Sequence, residues 1–219
     1  MKRAGLTLAT LAVVAAAGPA SAGAQIPGMP VWNTPRAGTG LLVAADVGIP
    51  DSNLAKGTTI AGRAAIGISA LTLGATAGVR SPTGGASNVN EYGATAAYRL
   101  IGGSLIPISV NLQGGIAHAR DSVVNTRVTT AVGLSLDVPL PGVSFEPWVA
   151  PGLRVNHRGA SGTGPSQTNT EFGVAAGLTF GLGLFGLHAA VDYENLPGGG
   201  HATTLGVGLH VDIRPSLGL

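Results

Sequence analysis

Charged side chains are scarce in this 219-residue chain, about one residue in ten, so their placement is informative. Asp46, Arg63, Arg80, Arg99, Asp137, Glu146, Arg154, Glu171, His188, Asp192, His210 and Asp212 all lie in short runs that alternate apolar with polar or small residues. Each falls on the polar phase of its run. Residues of one phase share one face of a strand, so the acids, guanidiniums and imidazoles are expected on a common face. Carboxylate–guanidinium pairs there form charge-assisted hydrogen bonds. Hairpin spacing singles out two: a loop centred near residue 54 sets Asp46 opposite Arg63, and one near 162 sets Arg154 opposite Glu171. His188 and His210 fall on neighbouring segments with Asp192 and Asp212 close by, types that pass a proton or ligate a metal, although parity alone does not converge them on an ion. A second set, His118, Asp121, Ser122, His157 and His201, lies in or beside the connections. Those are the residue types of a hydrolytic triad, but no Gly-x-Ser-x-Gly turn or other signature links them.

The elements that must position these groups are strands. Period-two alternation recurs ten times, over approximately 39–48, 59–69, 71–80, 91–101, 106–118, 127–138, 143–156, 169–181, 184–194 and 202–213. The last is the clearest, with Leu205, Val207, Leu209, Val211 and Ile213 alternating with Gly206, Gly208, His210 and Asp212. Short links near residues 69–71, 102–105, 140–142 and 181–183 alternate with longer polar ones at 49–58, 81–90, 120–125, 157–167 and 195–201. Small residues on the polar phase, including Gly74, Gly78, Gly93, Gly133, Gly173, Gly177, Gly206 and Gly208, are expected to leave room for long arginine side chains.

Thirty-six glycines, few charges and a positive mean hydropathy require an apolar surrounding, yet no run of about 20 apolar residues is present to form a spanning helix. Within lipid every backbone N–H and C=O must be paired internally, which leaves a closed barrel. Strands of about ten residues have the length to cross a bilayer when tilted. Aromatic residues supply a check. By parity Tyr92, Tyr98, Phe145, Phe172, Phe180, Phe185 and Tyr193 all face outward, with Tyr92, Phe172 and Tyr193 near the loop end and the other four near the turn end, as an interfacial girdle requires. A soluble sandwich would send most of them inward. The expected fold is all-β, an antiparallel up-and-down transmembrane barrel of ten strands, eight being the alternative count.

The first residues have the zones of an export signal: Lys2 and Arg3, an apolar run to about Ala17, then Ala20-Ser21-Ala22, predicting cleavage after Ala22 or Ala24. The expected division is a signal peptide over 1–24, an irregular leader over 25–38, the barrel over 39–213 and a tail over 214–219. Loss of Lys2 and Arg3 leaves ten cations against ten acids, and no basic run suits nucleic acid. With no cysteine, disulfides and thiolate metal sites are excluded. The leader, with Pro27, Pro30, Trp32 and Pro35, has no strand pattern. Trp32 either tucks into or across the turn-end mouth, where Trp148 also points inward by parity, or belongs to a leader without fixed structure.

With its signal, its meander of amphipathic strands, and end-of-strand segments such as Phe145-Glu146-Pro147-Trp148-Val149 and Leu205 to Ile213, the chain resembles the bacterial outer-membrane β-barrel families. The resemblance implies a place in the outer membrane of a Gram-negative-type bacterium, with membrane lipid and the barrel-assembly machinery as partners, and the even strand count places both chain termini on the periplasmic side. The chain departs from such barrels in closing its last strand on Ile213, followed by residues 214–219, instead of on an aromatic residue. The expected function is structural or loop-mediated, with a side-chain-filled lumen. A narrow pore for ions or small solutes is the alternative, and an outer-membrane hydrolase comes after it. No catalytic residue, cofactor or metal is expected. A monomer is favoured, although outward Ala64, Ala75, Ala77 and Ala94 would permit close approach of another protein.

Overall fold

A computed structural model of the chain describes residues 26–32, 39–54, 56–103, 106–120, 124–160 and 164–213. The signal segment and the tail lie outside these residues. Its strands are β1 (Gly40–Pro50), β2 (Gly57–Ile68), β3 (Leu71–Pro82), β4 (Val89–Gly103), β5 (Ile106–Arg120), β6 (Val124–Leu136), β7 (Val138–Leu140), β8 (Val143–Arg158), β9 (Gln167–Leu182), β10 (Phe185–Asn195) and β11 (His201–Ile213). β6 and β7 both pair with β8 and form one stave interrupted at Asp137. The strands therefore make ten staves, each antiparallel to the next. β1 pairs with β11 from Leu41↔Ile213 to Pro50↔Thr204, which closes the ring and leaves no edge to seek a partner. All ten segments read from the alternation are present, with limits that agree to within three residues.

Alternation decides which way each side chain points, and β10 shows it without interruption. Leu187, Ala189, Val191 and Tyr193 are exposed, while Gly186, His188, Ala190, Asp192 and Glu194 are buried. This inverts the arrangement of a protein folded in water. Large apolar side chains such as Ile60, Val207 and Leu209 are more than half exposed over the outer wall, and the buried set includes Asp46, Glu91, Arg127 and Arg154. An apolar belt of this extent is stable only against another apolar medium, which identifies the fold as a transmembrane barrel. Six of the seven aromatics are exposed on this wall; Phe145 is half-buried there, directly opposite Phe180.

Two-residue turns close the hairpins at one end, between Ile68 and Leu71, Leu140 and Val143, and Leu182 and Phe185. Longer connections gather at the other end, one containing a 3-10 turn over Ser52–Leu54.

The lumen holds a segment of the same chain. Residues 26–32 lie inside the barrel, with Ile26, Met29, Pro30 and Val31 buried. Met29 N–H donates to Ile26 O at 3.2 Å across Pro27-Gly28, a tight turn in which Gly28 takes φ +81°. Proline then glycine at the two central positions suits a type II turn, whose second central residue must have positive φ. The turn reaches the loop half of the barrel, where Gly28 stands against Gly48, Pro50, Thr59 and Arg80. The even stave count does bring Gly40 and Ile213 to the turn end, but residues 26–32, which precede β1, lie within the lumen.

This segment corrects the expected role of the small wall residues. A Cβ on Gly206 would lie 2.6 Å from Pro30, one on Gly78 would lie 2.8 Å from Ile26 Cδ1, and one on Gly48 would collide with Gly28 O. Those glycines make room for backbone and for apolar side chains of the inner segment. Only some, such as Gly173 beside Arg154, accommodate an arginine.

Candidate functional site

The polar phase of the staves converges on the lumen in two clusters, one toward each end. Toward the turn end, Asp46 of β1, Arg63 of β2 and His188 of β10 form a closed circuit, to which His210 of β11 is joined through His188. Arg63 Nε donates to Asp46 Oδ2 at 3.1 Å, His188 Nε2 lies 2.7 Å from Asp46 Oδ1, and His188 Nδ1 lies 2.9 Å from His210 Nδ1. His188 Nε2 also lies 3.2 Å from Arg63 Nη2, so the ring tautomer sets which of these contacts His188 donates and which it accepts. Trp32 closes the circuit from inside, edge-on to His188 at 4.6 Å between ring centroids and 5.6 Å beneath the Arg63 guanidinium.

Toward the loop end, Arg80 Nε donates to Glu91 Oε1 at 2.8 Å. Arg127 forks onto the Glu194 carboxylate and stands 3.7 Å from Asp192, which accepts from Arg154 Nη2 at 3.0 Å. Asp192 also accepts the backbone N–H of Val31 at 3.3 Å, so this cluster anchors the inner segment next to Trp32. Trp148, buried on the inward phase of β8, packs with Val31 against Ala131, Ala150, Ala175 and Ala190.

Of the expected pairs, Asp46 and Arg63 meet, although one pairing step from the expected register: Asp46 lies across from Ala61, and Arg63 from Ala44. Arg154 and Glu171 lie in register, but Arg154 reaches past β9 to Asp192, leaving Glu171 half-buried on the lumen face. Glu146 is buried, and Arg99, Asp137 and Asp212 are half-buried toward the turn end. His188 and His210 are neighbours, but their carboxylate is Asp46, while Asp192 serves the other cluster. Their facing Nδ1 atoms share one hydrogen bond with no space for an ion, and among the described residues no three His, Asp or Glu side chains are grouped to hold a metal.

Parity carried to the ends of the segments finds three residues that the sequence reading passed over. Glu91 precedes outward Tyr92, Arg127 precedes outward Val128, and Glu194 follows outward Tyr193. Among the described rim groups of a hydrolytic reading, the three histidines do not come together. His118, His157 and His201 stand on β5, β8 and β11 and face outward, against Thr126, Thr168 and Tyr193. Asp121 and Ser122 lie outside the described residues.

A cavity of about 380 Å³ opens at the turn end beside Arg63, Glu146, His188 and Asp212. Another of about 360 Å³ opens at the loop end over Pro27, Arg80 and Arg127. The inner segment lies between them.

With this geometry in view, the chain can be set beside known proteins. It is similar to the crystal structure of Neisserial surface protein A, with a TM-score of 0.38 and 16% identity over 79% of this chain and 97% of that one. It is also similar to the N-terminal β-barrel domain of Pseudomonas aeruginosa OprF, with a TM-score of 0.37 and 14% identity over 78% and 97% of the two chains. The translocator domain of the autotransporter NalP from Neisseria meningitidis gives a TM-score of 0.45 and 14% identity over 80% and 89%. These likenesses are confined to barrel architecture and say nothing of activity. No protein-family model and no curated protein matches the sequence.

Proposed function

We propose that the mature chain is a non-enzymatic outer-membrane β-barrel, exported with a cleaved signal peptide, closed along its axis by its own N-terminal segment and acting structurally or through its loop-end surface. The observation that carries this reading is the burial of Ile26, Met29, Pro30 and Val31 in the lumen, with charged clusters packed around them. Its partners are outer-membrane lipid around the apolar belt and the assembly machinery that inserts it, and the working unit is a monomer. Support comes from the signal-like first residues, the girdled outer wall and the paired interior. Purified, refolded mature chain in a planar lipid bilayer is expected to be electrically silent. Stable unitary conductance from the intact chain would overturn the closed-barrel reading.

One observation favours a narrow pore as the second reading: a cavity opens at each mouth, one lined by Trp32 and the other by Pro27 of the same inner segment. On that reading, deletion of residues 25–32 produces stable openings in the same bilayer and the intact chain opens intermittently.

A further inference from the structure

The loop-end mouth is asymmetric in a way that lumen filling does not require. On the side of β3 and β4 its cation is spent, since Arg80 is bound to Glu91. On the side of β6, β8 and β9, two consecutive inward-facing rows run across three adjacent strands. Arg127, Asn156 and Asn169 make the lower row, and Asn125, Arg158 and Gln167 the upper one. All six line the cavity of about 360 Å³. Adjacent strands are about 4.8 Å apart and same-face residues about 6.6 Å apart along a strand, so these groups cover roughly 10 by 7 Å, the footprint of one pyranose ring.

The state of these head groups indicates what they can bind. Among the described residues no hydrogen bond or ion pair engages the side chains of Arg158, Asn156, Asn169 or Gln167, whereas every buried lumen arginine is paired to a carboxylate. Arg127, buried and bound through its terminal nitrogens to Glu194, still has Nε without a partner. A guanidinium is donor-only and answers an oxyanion, while a carboxamide both donates and accepts. Its carbonyl finds no use on a bare oxyanion but suits a hydroxyl, which also does both. One row deeper, Glu171 faces the lumen directly across from Arg154. A second negative charge on the ligand would meet that carboxylate, so a monoanion is favoured over a phosphate.

We propose that the loop-end mouth between β6, β8 and β9 binds a hydroxylated small molecule bearing one carboxylate, a sugar acid in chemical class, with Arg158 taking the carboxylate and the carboxamides of Asn156, Asn169 and Gln167 the hydroxyls. The site rests on the reading of a closed barrel that works from its loop-end surface. Bilayer conductance tests that reading and binding calorimetry tests the site, so the two can fail separately.

The experiment is titration calorimetry on the intact mature chain in detergent micelles, with glucuronate, glucose and inorganic phosphate as probes. Glucuronate is expected to bind with a Kd on the order of 1 mM or tighter, and glucose and phosphate each at least roughly tenfold more weakly. Arg158→Gln should weaken glucuronate by roughly tenfold or more, the effect of one charge-assisted hydrogen bond, and leave glucose unchanged. Asn169→Ala should weaken both sugars. Phosphate binding more tightly than glucuronate, no glucuronate heat at millimolar concentration, or an Arg158→Gln variant that binds as the parent does would each overturn the proposal. Arg158 is exposed at the rim, so its substitution leaves a folded barrel on which the result can be read.

Discussion

The two mouths of the barrel treat their polar groups in opposite ways. At the turn end Asp46, Arg63, His188 and His210 are bonded to one another and covered by Trp32, so most of their hydrogen-bonding capacity is spent within the cluster. At the loop end Arg158, Asn156, Asn169 and Gln167 face a cavity with no internal partner. A barrel has a single polar face, and this one divides it by height. The lower circuit and the buried pairs above it hold the structure, and the rim is left free to meet what lies outside. Charge inside a barrel is therefore no sign of transport, because the decisive property is whether each group is already engaged.

Substitutions separate the two regimes. The largest effect is expected from Asp46→Ala. It strands Arg63 and His188 without their carboxylate, and removing one member of a buried ion pair typically costs about 3–5 kcal/mol. Urea unfolding of the refolded barrel, followed by tryptophan fluorescence, measures this; an unchanged midpoint would place Asp46 outside the structural circuit. Gly48→Val, between the two regimes, should cost about 1–3 kcal/mol by overpacking against Gly28. Its more specific sign is release of the inner segment, read as protease cleavage within residues 26–32 of an otherwise resistant barrel. Continued protection of that segment would mean that the wall yields instead. The smallest effect belongs to Arg158→Gln, expected within about 0.5 kcal/mol of the parent because the side chain is exposed and unpaired. A large loss of stability there would dissolve the contrast between the mouths.

Much of the fold was legible because lipid enforces a strict period. In β10 and β11 nearly every residue obeys the alternation, and a slip of one residue would turn an entire apolar face inward. Register was less legible. The pairing of β1 with β2 stops at Gly48↔Thr59, and a 3-10 turn over Ser52–Leu54 shapes the link, so the hairpin centre lies one residue earlier than an even loop would place it. Side-chain partners were less legible still. Arg154 passes over β9 to reach Asp192, since a long side chain in a narrow lumen spans two staves and its choice depends on curvature, which parity does not encode. The inner segment had one local sign, Pro27-Gly28 as a turn. Its docking depends on the match between Pro30 and Gly206, and between Gly28 and Gly48, which becomes visible only once the ring is closed. The loop-end rim was missed for a simpler reason: Asn125, Arg158 and Gln167 lie beyond the segment limits drawn from the alternation.

The inner segment also bears on how the ring finds its register where the chain's first and last strands meet. A one-residue slip between β1 and β11 is punished by the membrane, since it would expose Asp46 or Asp212 to lipid. A two-residue slip keeps every face correct, and the bilayer cannot detect it. Gly28 lies against Gly48 of β1 while Pro30 lies against Gly206 of β11, so the segment touches both sides of the seam at positions where only hydrogen fits. Sliding β11 by two residues would bring the Thr204 side chain or Gly208 into the place of Gly206, and with Thr204 there Pro30 would have nowhere to sit. Residues 26–32 thus act as a gauge inside the cylinder for a slip in that direction, recording a closure error that the surrounding lipid would accept.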